Sequence, residues 1–159
     1  MVMGRSLLTP LLRMNWPTSR TPVRKPDRAT CDRVAAGRGQ ALIDDYWGPY
    51  IAFLPNAGRR GLDIVRAPLV ALPCYMVEIE GGLALASDVG LLIACGLFRP
   101  AVAWTEVLRL LLVRDLLWPE TCLLGLRELN GGQRLSISDD EMRIEEVWSP
   151  WTFATRERQ

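Results

Sequence analysis

The sequence contains no histidine, the side chain that most often exchanges protons near neutral pH. Ser-His-Asp catalysis, Cys-His catalysis and histidine-ligated zinc are therefore excluded within these 159 residues. The cysteines match neither a metal-ligand spacing nor a CxxC redox pair, and we expect reduced, mostly packed thiols. We assign no catalytic, cofactor-binding or metal-ligating residue to this chain. The four cysteines are Cys31, Cys74, Cys95 and Cys122.

Long apolar runs are also missing. Pro10 and Arg13 interrupt the opening stretch, which makes it a poor signal peptide. The segment LRLLLVRDLLW is rich in leucine, but Arg109, Arg114 and Asp115 leave only four uninterrupted apolar residues, far short of the roughly 20 that a membrane span requires. These features predict a soluble, cytoplasmic protein with no membrane partner.

Neither sign of charge is in large excess. Nineteen basic and eighteen acidic residues leave a net charge of +1, so no nucleic-acid partner is expected. A chain of 159 residues that is 49% hydrophobic suits one globular domain with its own core.

The first 30 residues differ from the rest. They hold four prolines and, apart from Asp27, no acid, and they lack sustained periodicity from Asn15 onward. We predict a disordered segment over residues 1–30. A domain follows over residues 31–151, and residues 152–159 begin a linker or tail.

Six strands are predicted from alternating or β-branched runs that turn-forming residues separate. The loops PNAGRRG, EGG and DD join them in pairs, the second and third pairs as hairpins. In chain order the strands are 46–54 and 62–66, 74–79 and 83–87, and 134–138 and 142–147.

Two helices are predicted between the second and third pairs of strands. Ser87 or Asp88 can cap the first, VGLLIACGL, which Gly96 can close. The second begins near Thr105, follows the amphipathic pattern of EVLRLLLVRDLL, and ends before Pro119. The fold class is α+β.

The stretch IVRAPLVALPCY, residues 64–75, interrupts its apolar character with Arg66, Pro68 and Pro73. Proline lacks the amide that a central strand donates, so one strand ends near Arg66 and another begins after Pro73. The residues between them form a tight corner.

Four segments, in this order, resemble the glutaminase domain at the amino end of the asparagine synthetase family. They are YWGPYIAFL, IVRAPLVALPCY, LALASDVGLLI and LLGLRELNGGQRL. The positions that match the family's motifs are Gly48, Ala52, Phe53, Arg66, Leu69, Pro73, Tyr75, Ala86, Ser87, Leu129 and Gly132, with Asp88 in place of glutamate. Ala67 stands where the family has aspartate and Val70 where it has glycine.

Within that family, YWGPY, PCY, ETCLLGLREL and the closing WSPW are most similar to the asparagine-synthetase-like cyclases of lasso peptide biosynthesis. The resemblance covers about residues 42–151. It implies an incomplete αββα glutaminase-type sandwich with mostly antiparallel sheets, a class II glutamine amidotransferase (Ntn) domain. ATP and Mg²⁺ belong to a further domain that this chain does not contain, so we expect no cofactor here.

The resemblance also implies that this chain alone is inactive. Glutamine-hydrolysing members use a cysteine exposed at the amino terminus, whereas Val2 follows Met1 here. The family structural or interface candidates are Gly48, Phe53, Arg66, Pro73, Tyr75, Ser87, Asp88 and Gly132.

Three functions stay open. The chain is part of a lasso-peptide-cyclase-like protein, a fragment of a glutamine-hydrolysing asparagine synthetase, or a stand-alone interaction module. Its expected partners are a synthetase domain or subunit, or a precursor peptide, and exposed sheet edges favour self-association. Arg66 can orient a carboxylate, although a local ion pair at the strand end, with little net energy, is the preferred interpretation. The tryptophans are interpreted mainly as core or domain-interface packing. If the chain is an interaction module, exposed Trp148 and Trp151 would serve as anchors for a partner.

Overall fold

The chain folds into two antiparallel β-sheets and several short helices, an α+β fold. A computed structural model describes residues 27–56, 61–69, 72–113, 119–138 and 141–154. The helices are α1 (Arg28–Ala36), α2 (Gln40–Asp45), α3 (Val89–Ala94), α4 (Trp104–Leu112) and α5 (Trp151–Ala154). The strands are β1 (Ile51–Pro55), β2 (Gly61–Arg66), β3 (Tyr75–Ile79), β4 (Gly82–Ala86), β5 (Leu126–Glu128), β6 (Gln133–Ser138) and β7 (Met142–Glu146).

The described strands form two sheets, and the chain passes from one sheet to the other after β2 and again after β5. Sheet A has the strand order β1-β2-β6-β7, and sheet B has the order β4-β3-β5. All pairings are antiparallel. Because β2 lies in sheet A and β3 in sheet B, the proline-containing corner carries the chain from one sheet to the other.

The main core lies between the sheets. Side chains of successive strand residues point to opposite faces, so β2 directs Ile64 inward and Val65 outward. Ile64 and Leu135 of sheet A pack with Cys74 and Met76 from the start of sheet B, and all four are buried. Burial of this apolar surface joins the two sheets.

The outer face of each sheet has its own smaller core. Ile43 of α2 packs with Tyr50 and Val65 over sheet A. Leu92 of α3 packs with Val77 and Leu126 over sheet B. The layers therefore run from α2 through sheet A and sheet B to α3.

Helix α4 presents its apolar side to solvent. Its leucine and tryptophan stripe, Trp104, Leu108, Leu111 and Leu112, is 60–83% exposed. The charged residues Glu106 and Arg109 are less exposed and pair with each other at 2.6 Å. The amphipathic pattern predicted the helix, but its apolar stripe covers no part of the described core.

Several predicted boundaries are confirmed. Strand β2 ends at Arg66 and β3 begins at Tyr75, on either side of the two prolines. Helix α3 begins directly after Asp88, whose carboxylate accepts a hydrogen bond from the amide of Gly90 at 2.6 Å. The β3–β4 and β6–β7 hairpins also form as predicted.

Other predictions were wrong. The first strand begins at Ile51 rather than at residue 46, because α2 extends to Asp45 and a non-strand segment follows it. Helix α1 begins within the segment for which we predicted disorder, and the side chain of Asp27 caps it by accepting from the amide of Thr30. Residues 1–26, Val70, the predicted end of α4 over 114–118, the Asp139-Asp140 turn and residues 155–159 lie outside the described residues.

Candidate functional site

Residues from the second and fourth of the resembling segments meet where β2 ends, β3 begins and β5 ends. Arg66 is the last residue of β2, and only 6% of its surface is exposed. Its Nη1 donates to Glu128 Oε1 at 2.7 Å and to the carbonyl oxygen of Leu129. The prediction that Arg66 forms a local pair was wrong, because Glu128 lies 62 residues away and their largely buried ion pair joins the two sheets.

The corner after Arg66 packs against the turn that follows β5. The amide of Gly132 donates to the carbonyl of Arg66 at 3.1 Å, and the amide of Leu129 donates to the carbonyl of Cys74 at 2.9 Å. A Cβ atom on Gly131 would lie 2.2 Å from the carbonyl oxygen of Pro68. The second and fourth motifs, which are distant in sequence, are therefore in direct contact.

Gly132 is required in this turn for two reasons. Its φ of +76° lies in the left-handed region, where residues with a Cβ are strained. A Cβ there would also lie 2.7 Å from the carbonyl oxygen of Trp148. Gly132 therefore has a packing role, because it allows Trp148 to approach closely. Trp148 is half-buried against the core on the outer face of sheet A. The preferred interpretation of the tryptophans as packed residues therefore holds for Trp148, whereas Trp151 is 75% exposed.

Tyr75 lies opposite Glu128 on one side and Ala86 on the other in sheet B. Burial raises the pKa of the Tyr75 hydroxyl, and the nearby carboxylate of Glu128 adds to the rise. The positive charge of Arg66 lowers the pKa of Tyr75, whereas the negative charge of Asp88 raises it, as that of Glu128 does. Tyr75 stays neutral at physiological pH and offers a hydroxyl donor at this end of the sheets.

Cys74 lies beside this group but has no nucleophilic character. Its side chain is buried, and burial raises the pKa of the thiol to about 11 despite the proximity of Arg66. Cys122 is half-buried, whereas Cys31 and Cys95 are exposed. The prediction of packed thiols is therefore right for Cys74 and wrong for Cys31 and Cys95.

The remaining motif residues have separate positions. Pro73 is half-buried in the corner. Ser87 is exposed, and Asp88 is the N-cap of α3. Gly48 is in the loop before β1 with φ of +124°. Phe53, at 53% exposure, lies opposite Ile64 in the middle of β1 and not at the strand end where Arg66 lies.

Ala67, at the position where the family that the sequence resembles has aspartate, is buried with Ile43, Tyr50 and Val65. A carboxylate among these apolar side chains would need a partner of its own. The substitution fits the apolar core on the outer face of sheet A.

Sequence reasoning missed the partners of two buried charges. Glu128 was not selected because it lies 62 residues from Arg66. Asp63 of β2 was also missed, although it is buried and accepts two hydrogen bonds of 2.9 Å from Arg38. A single acid inside the apolar strand LDIVR was the available signal, because a buried carboxylate needs a cation or hydrogen-bond donors.

Among the described residues, no group of three or more Cys, Asp or Glu side chains is close enough to hold a metal ion. Within the same ranges, no helix has the length and apolar character needed to cross a bilayer. What the geometry provides is a rigid junction between the sheets.

Comparisons with known proteins add no relative. The sequence matches no protein-family model, and a search of curated proteins finds no significant match.

Proposed function

We propose that this chain is the amino-terminal portion of an asparagine-synthetase-like protein, of the kind that includes the lasso peptide cyclases. In this proposal the two sheets between α2 and α3 are an incomplete αββα glutaminase-type sandwich. The chain does not hydrolyse glutamine, and it serves as the partner of an ATP-dependent domain that forms an amide or isopeptide bond. The protein is cytoplasmic, where that ATP is supplied.

The observation that carries the proposal is the contact between two of its motifs. The strand-corner-strand motif passes from sheet A to sheet B, and the Leu129–Gly132 motif packs on that corner. Arg66 links them through Glu128 and the carbonyl of Leu129. Two of the four motifs, which are distant in sequence, are thus in contact in space.

The positions of the cysteines support the proposal that this chain does not hydrolyse glutamine. Cys74 is buried and protonated, and no internal cysteine carries a free α-amine that could act as the base. A fragment of a glutamine-hydrolysing synthetase is therefore the less supported alternative.

A stand-alone interaction module is the second candidate, because α4 and Trp151 expose large apolar side chains. Exposed apolar patches of this kind are typical of surfaces that contact another protein. The partner in this case is a separate synthetase subunit or a precursor peptide.

Sequencing of the source DNA across both ends of the coding region tests the main proposal. All frames should be read for a Met-Cys-Gly start and for a Ser-Gly-Gly-x-Asp-Ser phosphate loop. A loop in frame downstream supports the cyclase or synthetase assignment, and an intact flank without it supports the interaction module.

A biochemical assay tests the inactive assignment directly. The purified chain should release no ammonia from glutamine above the rate of a heat-denatured sample. Glutamine hydrolysis that disappears when one cysteine is replaced by alanine would overturn the assignment.

A further inference from the structure

A cleft of about 410 Å³ opens beside β5, at the edge of sheet B. Its lining includes Met76 and Glu78 of β3, Leu83 of β4, Arg127 of β5 and Met142 of β7. Tyr75 is the first residue of β3, and the cleft is lined by the three residues that follow it, Met76, Val77 and Glu78; none of the lining residues is a position matched in the resemblance. The cleft is therefore a separate feature from the motif residues.

The floor of the cleft is apolar. Met76 lies in the core between the sheets, and Leu83 packs against that core. Phe98 and Leu124 also line the cleft, and Met142, 40% exposed, reaches it from sheet A. A volume of this size is within the range of roughly 300 to 1,000 Å³ that is typical of small-molecule sites. An apolar group of a ligand would be desolvated there.

Arg127 provides an unsatisfied donor at the wall. It pairs with Met76 across β3 and β5, so both side chains lie on the face of sheet B that points toward sheet A. The Nε of Arg127 is buried and has no hydrogen-bond partner among the described residues. Its nearest carboxylate oxygen, on Glu120, is 3.9 Å away, which is too long for a hydrogen bond.

The charges around the cleft determine what it can accept. Arg99 and Arg127 line it together with a single acid, Glu78. Within the described ranges, neither Arg99 nor Glu78 forms an ion pair. Guanidinium groups bind carboxylates through two parallel N–H donors. The Nε–H of Arg127 is one such donor, and it is already buried away from water. Glu78 would repel a second carboxylate.

We propose that this cleft binds a small monocarboxylate with an apolar body, its carboxylate on Arg127 and its apolar part over Met76, Leu83 and Met142. Such a group occurs either in a free acid or at the carboxyl terminus of a peptide that ends in an apolar residue. The site is independent of the proposed function, because it uses none of the motif residues.

Methyl NMR of the full chain labelled with ¹³C at the methionine methyl groups provides the test. The probes are 3-phenylpropionate for the free acid and an acetylated dipeptide ending in phenylalanine for the peptide terminus. The amide forms of both probes are matched controls without the charge. We expect the Met76 and Met142 signals to shift in a saturable manner with an acid probe and not with its amide. Whichever acid binds more tightly identifies the source of the carboxylate.

Two variants test the assigned residues. Arg127→Met should weaken binding by about tenfold or more, since a hydrogen bond to a charged group is lost. Arg33→Met removes the same charge from an exposed pair on α1 and should leave the affinity unchanged. If Arg127→Met fails to fold, Met142→Glu keeps both arginines, places a carboxylate in the cleft, and should abolish binding of the acid probes.

Three results would overturn the proposal. They are no shift of the methionine signals up to saturating probe, equal binding of the acid and its amide, and unchanged affinity in a folded Arg127→Met or Met142→Glu variant. Adipate, a dicarboxylate, should bind more weakly than 3-phenylpropionate, and equal or tighter binding of adipate would refute the role of Glu78.

Discussion

Arg66 and Glu128 lie 62 residues apart in sequence and form an ion pair of 2.7 Å between the end of sheet A and the end of sheet B. Glu128→Ala leaves the buried guanidinium without its carboxylate. We expect it to lower the free energy of unfolding by about 2 kcal/mol or more, because removal of one member of a buried pair leaves an uncompensated charge. Urea denaturation measures the change.

Two comparisons complete this test. The double variant Arg66→Met/Glu128→Leu should recover much of the lost stability, since no buried charge remains. Arg33→Ala, which breaks an exposed pair with Asp45, should change stability by less than about 1 kcal/mol. A Glu128→Ala protein as stable as the wild type would show that the pair does not join the sheets.

The buried carboxylate of Asp63 should make stability depend on pH. Hydrogen bonds from Arg38 hold the pKa of Asp63 below its ordinary value of 3.8, and Arg134 lowers the pKa of Glu145 in the same way. A carboxyl group whose pKa is lower in the folded state contributes stability that is complete above its unfolded-state pKa. That contribution is lost as the pH falls through the folded-state pKa.

We therefore expect wild-type stability to fall between about pH 5 and pH 2. Asp63→Asn should be less stable at pH 7 and should show a shallower fall over the same interval. Urea midpoints measured at several pH values across that interval give both slopes. Parallel curves for the two proteins would mean that Asp63 does not contribute to the acid sensitivity.

The four cysteines should differ in their reactivity toward iodoacetamide. Cys31 and Cys95 are exposed and should be alkylated first, with the half-buried Cys122 after them. Cys74 should react only when the protein unfolds, because burial both blocks access and raises the pKa of its thiol to about 11. Mass spectrometry of a time course with and without urea identifies the order. Early alkylation of Cys74 in the native protein would contradict the position of its side chain between the sheets.

One added methyl group should disrupt the contact between the corner after Arg66 and the turn after β5. Gly131→Ala would place a Cβ atom 2.2 Å from the carbonyl oxygen of Pro68, and backbone atoms must move to relieve the overlap. We expect a loss of about 1 to 3 kcal/mol. Gly82→Ala is the matched control, because a Cβ there meets nothing within 4 Å, and it should change stability by less than about 0.5 kcal/mol. Equal thermal midpoints of the two variants would disprove the close approach.

The apolar stripe on α4 should promote association between molecules. Leu111 and Leu112 are 73% and 83% exposed, so Leu111→Lys/Leu112→Lys should reduce association without loss of folded stability. Sedimentation velocity over a range of concentrations measures it. Ser87→Lys adds a positive charge at another exposed position and should not reduce association. Wild-type protein that stays monomeric at high concentration would contradict the expectation.

Local patterns in the sequence predict the local elements of this fold well. Proline positions locate the end of β2 and the start of β3, and the capping carboxylate of Asp88 locates the start of α3. The three-residue strand β5 is too short to show alternation, and it exists through pairing with β3. Helix α2 is also short and is held by the contacts of Ile43 with sheet A.

Contacts between residues that are distant in sequence could not be predicted from local patterns. No local feature shows that β2 and β3 belong to different sheets, or that Arg66 will meet Glu128. The amphipathic pattern of α4 predicts a helix but not the direction in which its apolar stripe points, since that depends on what lies next to it. The cleft beside β5 likewise depends on the separation of two sheets that are distant in sequence.

The strand order also constrains when this protein can fold during its synthesis on the ribosome. Strand β2 pairs with β6, and β3 pairs with β5, so each sheet receives an essential strand from the final third of the chain. While the nascent polypeptide ends before β5, Ile64 and Met76 have no Leu135 to pack against, and Glu128, the partner of Arg66 on β5, is absent. The two sheets therefore cannot be completed until β5 and β6 have been synthesised, and a chaperone that shields the earlier strands would have its main effect during that interval.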